Sequence, residues 1–330
     1  MFNNKTILVT GGTGSFGIAF IEGIYSKYKP KKLIVYSRDE HKQHMLSKIF
    51  KKPKYKGIRF FIGDIRDTRR LSSALKNVDF VIHAAALKHV PIAEYNPQEC
   101  IKTNILGTQN LIDCCIENNV KKVIALSTDK AANPINLYGA TKLVADKLFV
   151  SSNSLSAHTD TIFSVVRYGN VLNSRGSVIP FFKDLAKKKQ PLPLTDIKMT
   201  RFFISIEDAV KFIIHCFSKM HGGEIFIPKL PTIKIEDLAN CIKTNKNNKI
   251  VGLRPGEKLH EDLCTSDDSN YTYENQNSYL ILPAIELPDK NIKPKKLKGY
   301  KKVQKGFAYN SLTNSNYLNI NQIKRIIKNI

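Results

Sequence analysis

The sequence has no tryptophan and no apolar run long enough to cross a membrane. A membrane helix needs about 18 or more consecutive apolar residues, whereas the longest mostly apolar run, residues 78–87, contains Asp79 and His83. The first residues show no charged region followed by an apolar stretch and a small-residue cleavage site. We therefore expect neither a membrane span nor an export signal.

The six cysteines show no C-x-x-C pair and no spacing typical of a metal site. Adjacent Cys114 and Cys115 fall in a helical pattern, where cysteine serves as a small apolar side chain. Unpaired thiols without an export signal are typical of the reducing cytoplasm. The sequence therefore predicts a cytoplasmic protein that holds no metal and has no disulfide framework.

The chain is long and carries a large excess of positive charge. Its 330 residues suffice for roughly two domains, and its 52 Lys and Arg exceed its 28 Asp and Glu by 24. Such a balance can attract nucleic acid, an anionic membrane surface or a polyanionic small molecule. The lysines are scattered, however, and the densest segment, residues 290–305, has only Tyr300 as an aromatic residue. We expect a solvated lysine-rich surface that helps to attract an anionic substrate, with no nucleic-acid or membrane partner.

Short apolar runs alternate with longer amphipathic segments from residue 5 to residue 153. Apolar runs without polar alternation are typical of strands buried on both faces. Their alternation with helices implies a parallel sheet with helices on both sides. The predicted strands are 6–10, 32–37, 58–64, 78–85, 122–128 and 161–171, and the predicted helices are 16–28, 40–50, 67–76, 97–118 and 138–152.

The later part of the chain has a different pattern. It contains a helical pattern at 205–220, short strands and a final amphipathic helix at 319–330. It also contains loops bounded by prolines, which are Pro180, Pro191, Pro193, Pro228, Pro231 and Pro255. We predict an α/β fold with a Rossmann-type doubly wound parallel sheet at 1–170. Residues 171–330 are predicted to form mainly a smaller, mixed C-terminal substrate lobe, from which some segments return to the sheet.

A glycine-rich turn connects the first predicted strand to the first predicted helix in the pattern G-x-x-G-x-x-G. Gly11 permits a tight turn, Gly14 lets the backbone approach a pyrophosphate, and Gly17 lets the helix pack closely on the strand. The helix N-terminus adds N–H donors and the positive end of its dipole. This context predicts a dinucleotide site. Its contacts in this turn are Gly11, Thr13, Gly14, Ser15, Phe16 and Gly17.

The end of the second strand indicates which dinucleotide binds. An acid at this place accepts from a ribose 2′-hydroxyl, whereas an arginine pairs with a 2′-phosphate. Both Arg38 and Asp39 are present, but Ser37 and Arg38 come first and Lys42 follows one turn later. The local charge therefore favours NADP.

Three other strand ends complete the predicted cofactor site. Asp64 and Ile65 are expected beside the adenine ring, and Ala84 has a small side chain that lets the cofactor approach the sheet. We interpret the neighbouring His83 as structural. Leu126 and Ser127, at the end of the fifth strand, are the remaining predicted contacts.

Tyr138 and Lys142 are spaced i, i+4 and therefore project from one helical face. A tyrosine hydroxyl has a reference pKa near 10, and a nearby ammonium together with a positive nicotinamide would favour the phenolate. Such a phenolate can take an alcohol proton as hydride leaves for NADP⁺. Tyr138 and Lys142 are therefore predicted both to contact the cofactor and to act in catalysis.

Together with Ser127 and Thr128, these motifs resemble the extended short-chain dehydrogenase/reductase family, whose Rossmann domain and small lobe modify nucleotide sugars. Longer strings are similar to one group within it, the inverting UDP-N-acetylglucosamine 4,6-dehydratases, which begin the pseudaminic acid pathway in bacteria with glycosylated flagellins. The resemblance is strong over 1–265 and looser beyond. The strings are GGTGSFG, YSRDE, RFFIGDIRD, HAAALKHVPIAEYNP, ALSTDKAANPINLYGATKL, VRYGNV, SRGSVIPFF and RPGEKLHE.

Asp129-Lys130 is the feature that distinguishes this group, because retaining 4,6-dehydratases typically carry Asp-Glu there and simple 4-epimerases carry neither pair. The resemblance implies that Tyr138, with Thr128 beside it, is the base for oxidation at C4. Lys130 then removes the C5 proton and Asp129 protonates the departing C6 hydroxyl. Hydride returns to C6 and a proton reaches C5 from the opposite face. Lys130 must be neutral for part of this cycle.

The resemblance implies UDP-N-acetylglucosamine as substrate, a UDP-2-acetamido-2,6-dideoxy-L-arabino-hexos-4-ulose as product, and a homo-oligomer. Lys88 is implied near both the cofactor and the sugar. An arginine fork suits phosphate, and a carboxylate suits ribose hydroxyls. The implied substrate contacts are Lys88, Asn170, Val178, Thr195, Met199, Arg201, Arg254 and Glu257.

Three alternatives remain open from the sequence. A retaining UDP-sugar 4,6-dehydratase differs only in the configuration at C5. A UDP-sugar 4-epimerase needs no Asp-Lys pair. An NADP-sensing or nucleic-acid-binding Rossmann protein needs none of Tyr138, Lys142, Asp129 and Lys130.

Overall fold

A ten-stranded sheet forms the centre of the molecule. The computed structural model describes residues 1–156, 159–242, 248–285, 297 and 299–328. The strands are β1 Thr6–Thr10, β2 Lys32–Ser37, β3 Ile58–Ile62, β4 Phe80–His83, β5 Lys122–Thr128, β6 Ile162–Tyr168, β7 Asn170–Val171, β8 Leu192–Leu194, β9 Thr200–Ile204, β10 Ile225–Pro228, β11 Thr232–Lys234, β12 Asn248–Ile250, β13 Asp262–Cys264, β14 Thr272–Glu274, β15 Ser278–Ile281, β16 Lys301–Lys302 and β17 Tyr309–Asn310.

Helices cover the sheet, as the alternating pattern predicted. The α-helices are α1 Ser15–Lys27, α2 Glu40–Ile49, α3 Thr68–Leu75, α4 Val90–Tyr95, α5 Pro97–Ile101, α6 Gly107–Glu117, α7 Leu137–Leu155, α8 Val178–Lys187, α9 Ile206–Lys219, α10 Ile235–Ile242 and α11 Ile320–Lys328. None of the helices in the described part of the chain is both long and apolar enough to span a bilayer.

The strand order is β16-β14-β15-β10-β6-β5-β4-β1-β2-β3. From β3 to β10 all pairs are parallel, and β15, β14 and β16 extend the sheet in antiparallel pairs. The first six strands thus follow the doubly wound order 3-2-1-4-5-6, which gathers their carboxyl ends at one edge of the sheet. The predicted Rossmann-type α/β fold is confirmed.

The predicted strand 161–171 is shorter in the structure and is followed by a second strand. β6 ends at Tyr168, and β7 pairs with β9 in a separate three-stranded sheet. Gly169 allows this change of sheet, because a Cβ at that position would lie 2.6 Å from Phe202. The chain therefore leaves the main sheet for the second lobe at this glycine.

The predicted helix 97–118 is interrupted by a π-helical turn at Lys102–Leu106. α8 was predicted as a proline-bounded loop because it contains Pro180. This proline lies in the first turn of the helix, where its missing N–H has no intrahelical partner. α4 and α10 are also helices that the sequence pattern did not predict.

The second lobe has its own small core beside β8, β9 and β11, covered by α8, α10 and α11. Its buried centre includes Ile179, Phe182, Phe203 and Ile323. The lobe is discontinuous, because β10, β14, β15 and β16 return to the main sheet. The division at residue 170 stays a prediction. The predicted final helix is described to Lys328, and much of the lysine-rich segment 290–305 lies outside the described residues.

Candidate active site

A cleft of about 820 Å³ lies at the carboxyl edge of the parallel strands, and residues of the second lobe form its far side. It brings together nearly all residues that the sequence predicted for the cofactor. Gly17 is the exception, since it lies behind the glycine turn. The predicted cofactor residues that line the cleft are Gly11, Thr13, Gly14, Ser15, Phe16, Ser37, Arg38, Asp39, Lys42, Asp64, Ile65, Ala84, Lys88, Leu126, Ser127, Tyr138 and Lys142.

The glycine turn has the close packing that its sequence predicted. Gly11 has a φ of +63°, and a Cβ there would lie 2.9 Å from the backbone of Ala84. A Cβ on Gly17 would lie 2.3 Å from the carbonyl oxygen of Gly12. Gly14 is the N-cap of α1, and no side chain caps this helix end. The helix therefore presents backbone N–H groups at the cleft, as an anion site requires.

At the end of β2, the two charges that bear on cofactor choice are paired to different degrees. Asp39 caps α2 by accepting from the Lys42 backbone N–H at 2.8 Å, and it also pairs with the Lys42 ammonium. Hydrogen bonding to Lys42 holds the pKa of Asp39 below its usual range. Arg38 is about half exposed, with Asp64 3.5 Å away. The edge of the cleft therefore presents a loosely paired cation beside a closely paired acid.

The segment 129–136, which carries Asp129 and Lys130 and is called the catalytic turn below, leads directly into α7. The start of α7 positions Tyr138. Asn136 Oδ1 accepts from Gly139 N at 2.7 Å and caps the helix. A side chain at Gly139 would lie 2.2 Å from the carbonyl oxygen of Lys130. Glycine at this position lets the turn 129–131 pack directly on the start of α7, which places Tyr138 and Lys130 in the same cleft.

The hydrogen-bond partner of Lys142 in this structure is a backbone carbonyl. Lys142 Nζ donates to the Leu126 carbonyl oxygen at 2.7 Å, and burial lowers its pKa against the opposing charge of Asp146. Burial raises the pKa of Tyr138 to about 12, and Lys130 is the main cation that opposes this. Both residues of the i, i+4 pair line the cleft, where the ammonium of Lys142 donates to this backbone carbonyl.

Lys130 lies between two buried carboxylates. Its Nζ is 3.0 Å from Asp129 Oδ1 and 3.2 Å from Glu261 Oε1. Burial alone would lower the pKa of Lys130, but Asp129 and Glu261 outweigh it and raise that pKa above its ordinary value. Lys130 is therefore an ammonium in this state, and the chemistry predicted for it requires a proton acceptor.

Asp129 is the predicted catalytic residue that does not line the cleft. It is fully buried, and its Oδ1 also accepts from Thr128 Oγ1 at 2.9 Å. Thr128 and Lys130 do line the cleft. Glu261 lines it too, and sequence reasoning missed this residue. The available signal was its place at the end of the string RPGEKLHE.

A second cavity of about 470 Å³ adjoins the cleft on the lobe side. It contains the two predicted substrate residues that the main cleft does not include, Thr195 and Met199. Apolar residues that the sequence did not predict, among them Phe181 and Ile235, line it as well. The predicted substrate residues shared by both cavities are Asn170, Val178, Arg201, Arg254 and Glu257.

Two of the positively charged residues that are predicted to bind the substrate donate hydrogen bonds to backbone carbonyls. Arg201 donates to the carbonyl oxygens of Thr200, Lys258 and Leu259 at 2.7–3.0 Å. Lys88 Nζ donates to the Arg175 carbonyl oxygen at 3.1 Å, and burial lowers its pKa. Arg201 thus braces the 254–261 segment besides lining both cavities.

The 254–261 segment is tied to the catalytic turn at several points. Asn136 Nδ2 donates to the Gly256 carbonyl oxygen, and Lys258 Nζ donates to the Ala132 carbonyl oxygen, both at 2.7 Å. Glu257 Oε2 accepts from Thr195 Oγ1 at 3.4 Å. One segment therefore carries predicted substrate contacts and a carboxylate partner of Lys130.

Among the described residues there is no group of three or more side chains able to hold a metal ion. All six cysteines are free thiols, and five of them are buried. The site thus consists of a dinucleotide-sized cleft, a phenol, a lysine and two carboxyls.

Known proteins are similar to this chain in sequence and in fold. A curated UDP-N-acetylglucosamine 4,6-dehydratase (inverting) from Campylobacter jejuni is 56% identical over 332 residues, covering 99% of this chain and 98% of the relative. A UDP-glucose 4-epimerase from Rickettsia bellii is 40% identical over 337 residues, covering 100% of this chain and 97% of the relative. The X-ray structure of Pen from Bacillus thuringiensis has a TM-score of 0.90 and 38% identity, covering 100% of this chain and 98% of that chain.

The profile of the family described as Polysaccharide biosynthesis protein matches residues 7–283. The predicted resemblance is confirmed: the chain belongs to this family of extended short-chain dehydrogenases/reductases and is similar throughout its length to inverting UDP-N-acetylglucosamine 4,6-dehydratases.

Proposed function

We propose that the protein is an NADP-dependent lyase that dehydrates UDP-N-acetylglucosamine across C5 and C6 and inverts C5. The observation that carries this proposal is the lysine at position 130, beside Tyr138 in one cleft. A retaining 4,6-dehydratase resembles it but typically has glutamate at that position. The dehydratase relative from Campylobacter jejuni supports the same reaction and substrate.

The cleft fits a nicotinamide dinucleotide. Gly11 and Gly17 leave no room for side chains beside the turn that would hold the pyrophosphate. Lys42 pairs with Asp39, and Asp64 is closer to Arg66, at 2.8 Å, than to Arg38, at 3.5 Å. The half-exposed Arg38 can therefore turn to a 2′-phosphate, which favours NADP. When bound, NADP supplies a hydride acceptor for C4 and a hydride donor for C6.

The side chains of the protein handle the protons. Tyr138 takes the proton of the C4 hydroxyl, and the resulting ketone acidifies the hydrogen at C5. Lys130 takes that hydrogen as a proton. An acid must protonate the C6 oxygen as it leaves, and the two carboxyls on Lys130, Asp129 and Glu261, are the candidates. The sequence predicted Asp129.

The nucleotide is assigned to the second cavity, where the diphosphate would meet Arg254 and the ribose hydroxyls would meet Glu257. A guanidinium recognises phosphate through its planar fork. The proposal also includes the expectations that the protein is cytoplasmic, homo-oligomeric and the first enzyme of pseudaminic acid biosynthesis for flagellin or surface glycosylation.

The test is to incubate the purified protein with UDP-N-acetylglucosamine in deuterated water and follow the products by NMR. No cofactor is added, because a redox-neutral reaction recycles the cofactor that is already bound. We expect a 4-keto-6-deoxy sugar with deuterium at C5 and the inverted configuration in the first-formed product. Retained configuration would favour a retaining dehydratase instead.

A UDP-sugar 4-epimerase is the second candidate, because the Rickettsia bellii relative carries that name. The same spectra would then show a C4 epimer with its C6 hydroxyl intact. If neither product forms, an NADP sensor or a nucleic-acid-binding protein becomes the better explanation. In that case binding of NADP without turnover, and salt-dependent DNA binding, would be measured next.

A further inference from the structure

Two acids lie close to the arginine that the proposed function assigns to a 2′-phosphate. Arg38, Asp39 and Asp64 all line the cleft, and the side chain of Arg38 is half-exposed. A carboxylate that paired closely with Arg38 would compete with the phosphate, because both anions fit the planar fork of a guanidinium. The preference for one cofactor therefore depends on how firmly other cations hold the two acids.

Asp39 is held within the first turn of its own helix, α2. Its Oδ1 accepts from the Lys42 backbone N–H at 2.8 Å, and its Oδ2 pairs with the Lys42 ammonium. Both oxygens of this carboxylate thus have a partner on Lys42, which leaves Asp64 as the acid that can still compete for Arg38.

Asp64 is held by Arg66, two residues later in the chain. Asp64 Oδ2 accepts from Arg66 Nε at 3.0 Å and from Arg66 Nη2 at 2.8 Å, and Oδ1 accepts from the Arg66 backbone N–H at 3.0 Å. Arg38 Nη1 lies 3.5 Å from the same Oδ2, which is beyond the usual length of an N–H···O hydrogen bond. Arg66 thus supplies three close donors to Asp64, and Arg38 supplies one distant donor.

The charge state of Asp64 makes this competition relevant at neutral pH. Burial would raise the pKa of Asp64, but the hydrogen bonds and charge of Arg66, followed by the charge of Arg38, keep that pKa below its usual value. Without Arg66 the side chain would still be an anion at pH 7, since the ordinary aspartate pKa is about 3.9. Arg38 is the next cation in its surroundings.

Arg66 is itself anchored and does not line the cleft. Its Nη1 donates to Glu99 Oε2 at 2.6 Å, and Glu99, on α5, also pairs with Lys102 at 3.3 Å. Charges of alternating sign therefore run from Arg38 at the cleft to Lys102. Exposed ion pairs in a network, with two-pronged arginine geometry, contribute more than isolated surface pairs do. Arg66 can thus hold Asp64 without touching a bound cofactor.

We propose that Arg66 is a positioning residue that determines cofactor specificity: by holding Asp64, it leaves Arg38 available for the 2′-phosphate and so sets a preference for NADP over NAD. This inference rests on the proposed NADP dependence. Because Arg66 acts through Asp64 on the phosphate contact alone, its replacement should weaken the binding of NADP and leave the binding of NAD nearly unchanged.

The experiment is a competition between the two cofactors. The purified protein is equilibrated with an excess of an equal mixture of NADP and NAD and separated from free nucleotide, and the bound NADP and NAD are counted by mass spectrometry. NADP and NAD differ by one phosphate, so their bound ratio reports the phosphate contact. Arg66→Gln should lower the NADP-to-NAD ratio by roughly threefold to tenfold, because Asp64 then competes for Arg38.

A double variant tests whether Arg66 acts through Asp64. Asparagine carries no charge that competes for Arg38, so Arg66→Gln combined with Asp64→Asn should return the ratio to the wild-type value or above it. Any contact of Asp64 with the adenosine part of the cofactor is common to NADP and NAD and cancels in the ratio. A ratio that stays low in the double variant would show that Arg66 acts by its own charge, which would overturn the proposal.

Arg69→Gln is the matched control, since Arg69 is an exposed arginine on α3 and its replacement removes the same charge without freeing Asp64. Its ratio should equal that of the wild type; an equal fall in Arg69→Gln and Arg66→Gln would contradict the proposal. Thermal unfolding verifies that all variants are folded.

The wild-type ratio separates this inference from the proposed function. A wild type that binds NAD in preference would refute the proposed NADP dependence, and this inference with it. A wild type that prefers NADP, with the same ratio in Arg66→Gln, would refute only the role of Arg66.

Discussion

At the scale of single residues, His83 has a fixed and neutral tautomer at the centre of the sheet. Thr10 Oγ1 accepts from the backbone N–H groups of Ala84 and Ala85, so its own proton is free to reach His83 Nδ1, 2.8 Å away. Thr108 Oγ1 donates to a backbone carbonyl and lies 3.2 Å from Nε2. Nε2 therefore carries the proton. Burial, followed by the charge of Lys142, lowers the pKa of His83 to about 3.

This pKa has a consequence for stability. It lies below the ordinary value of 6.5, so the unfolded chain binds a proton here before the folded chain does. The stabilisation is complete above pH 6.5 and is lost as the pH falls towards 3, at about 1.4 kcal/mol per unit. Between pH 7 and pH 4.5, wild type should lose about 2–3 kcal/mol more of unfolding free energy than His83→Gln.

Urea unfolding at the two pH values measures this difference. The exposed His44 supplies the control, since His44→Gln should follow the wild type at both pH values. Equal losses in wild type and His83→Gln would show that the imidazole is not held neutral.

At the scale of elements, the junction of β1 and α1 separates two roles that glycine plays in one turn. Gly17 lies against backbone, with the Gly12 carbonyl oxygen 2.3 Å from a hypothetical Cβ. Gly14 has more room, since a Cβ there would lie 3.2 Å from the Gly11 carbonyl oxygen, and its φ of −77° suits any residue. Gly17 is required by packing, and Gly14 by the predicted pyrophosphate.

Alanine at these two positions should therefore have different effects. Gly17→Ala must move α1 away from the turn, so both the melting temperature and the retention of NADP should fall. Gly14→Ala should keep a melting temperature close to wild type and lose NADP affinity by at least about tenfold, because only the approach of the phosphate is blocked. Thermal scans and nicotinamide release from the purified variants measure both. A large loss of stability in Gly14→Ala would contradict this division.

At the scale of the whole molecule, the cofactor half and the later half share one core. Phe217 on α9 packs against Phe2 and Phe80, with ring centroids 5.4 and 5.8 Å apart. A Cβ on Gly23 of α1 would lie 2.7 Å from Val210 of α9. β10 adds a parallel strand beside β6. α9 and β10, which complete the core of the first half, thus come from the part of the chain after residue 200.

A fragment of residues 1–170 should consequently fail to fold. It would expose the edge of β6 and the apolar faces of α1 and β4, and unpaired edges of this kind promote aggregation. Circular dichroism melts and NADP binding, with the full chain as reference, test this expectation. A soluble fragment that unfolds cooperatively and binds NADP would show that the boundary at 170 separates independent units.

The elements that could be predicted were those whose signal is local. The strands from β1 to β5 are short apolar runs bounded by turns, and the glycine turn carries its own pattern. α8 was missed because Pro180 suggested a loop, although a proline in the first turn of a helix is tolerated. The residues that line the cleft could be predicted for the same local reason, since most of them follow strand ends that meet at one edge.

The parts of the site that could not be predicted depend on distant segments. Glu261 reaches Lys130 only because β13 pairs with β17 and the 254–261 segment lies on the catalytic turn. Nothing near Lys130 in the sequence indicates this partner. The burial of Asp129 and the carbonyl partner of Lys142 likewise follow from packing, which the i, i+4 spacing alone does not specify.

The burial of the cysteines has a practical consequence. Cys100, Cys114, Cys115, Cys216 and Cys264 are all buried, and burial raises the pKa of each thiol. Cys241, on α10, is the partly exposed one. A thiol-reactive dye added to the native protein would therefore attach at one place, on the helix whose first residue, Ile235, lines the second cavity. The unaltered chain thus offers a single thiol for fluorescent labelling, on the helix that begins at the cavity proposed for the nucleotide.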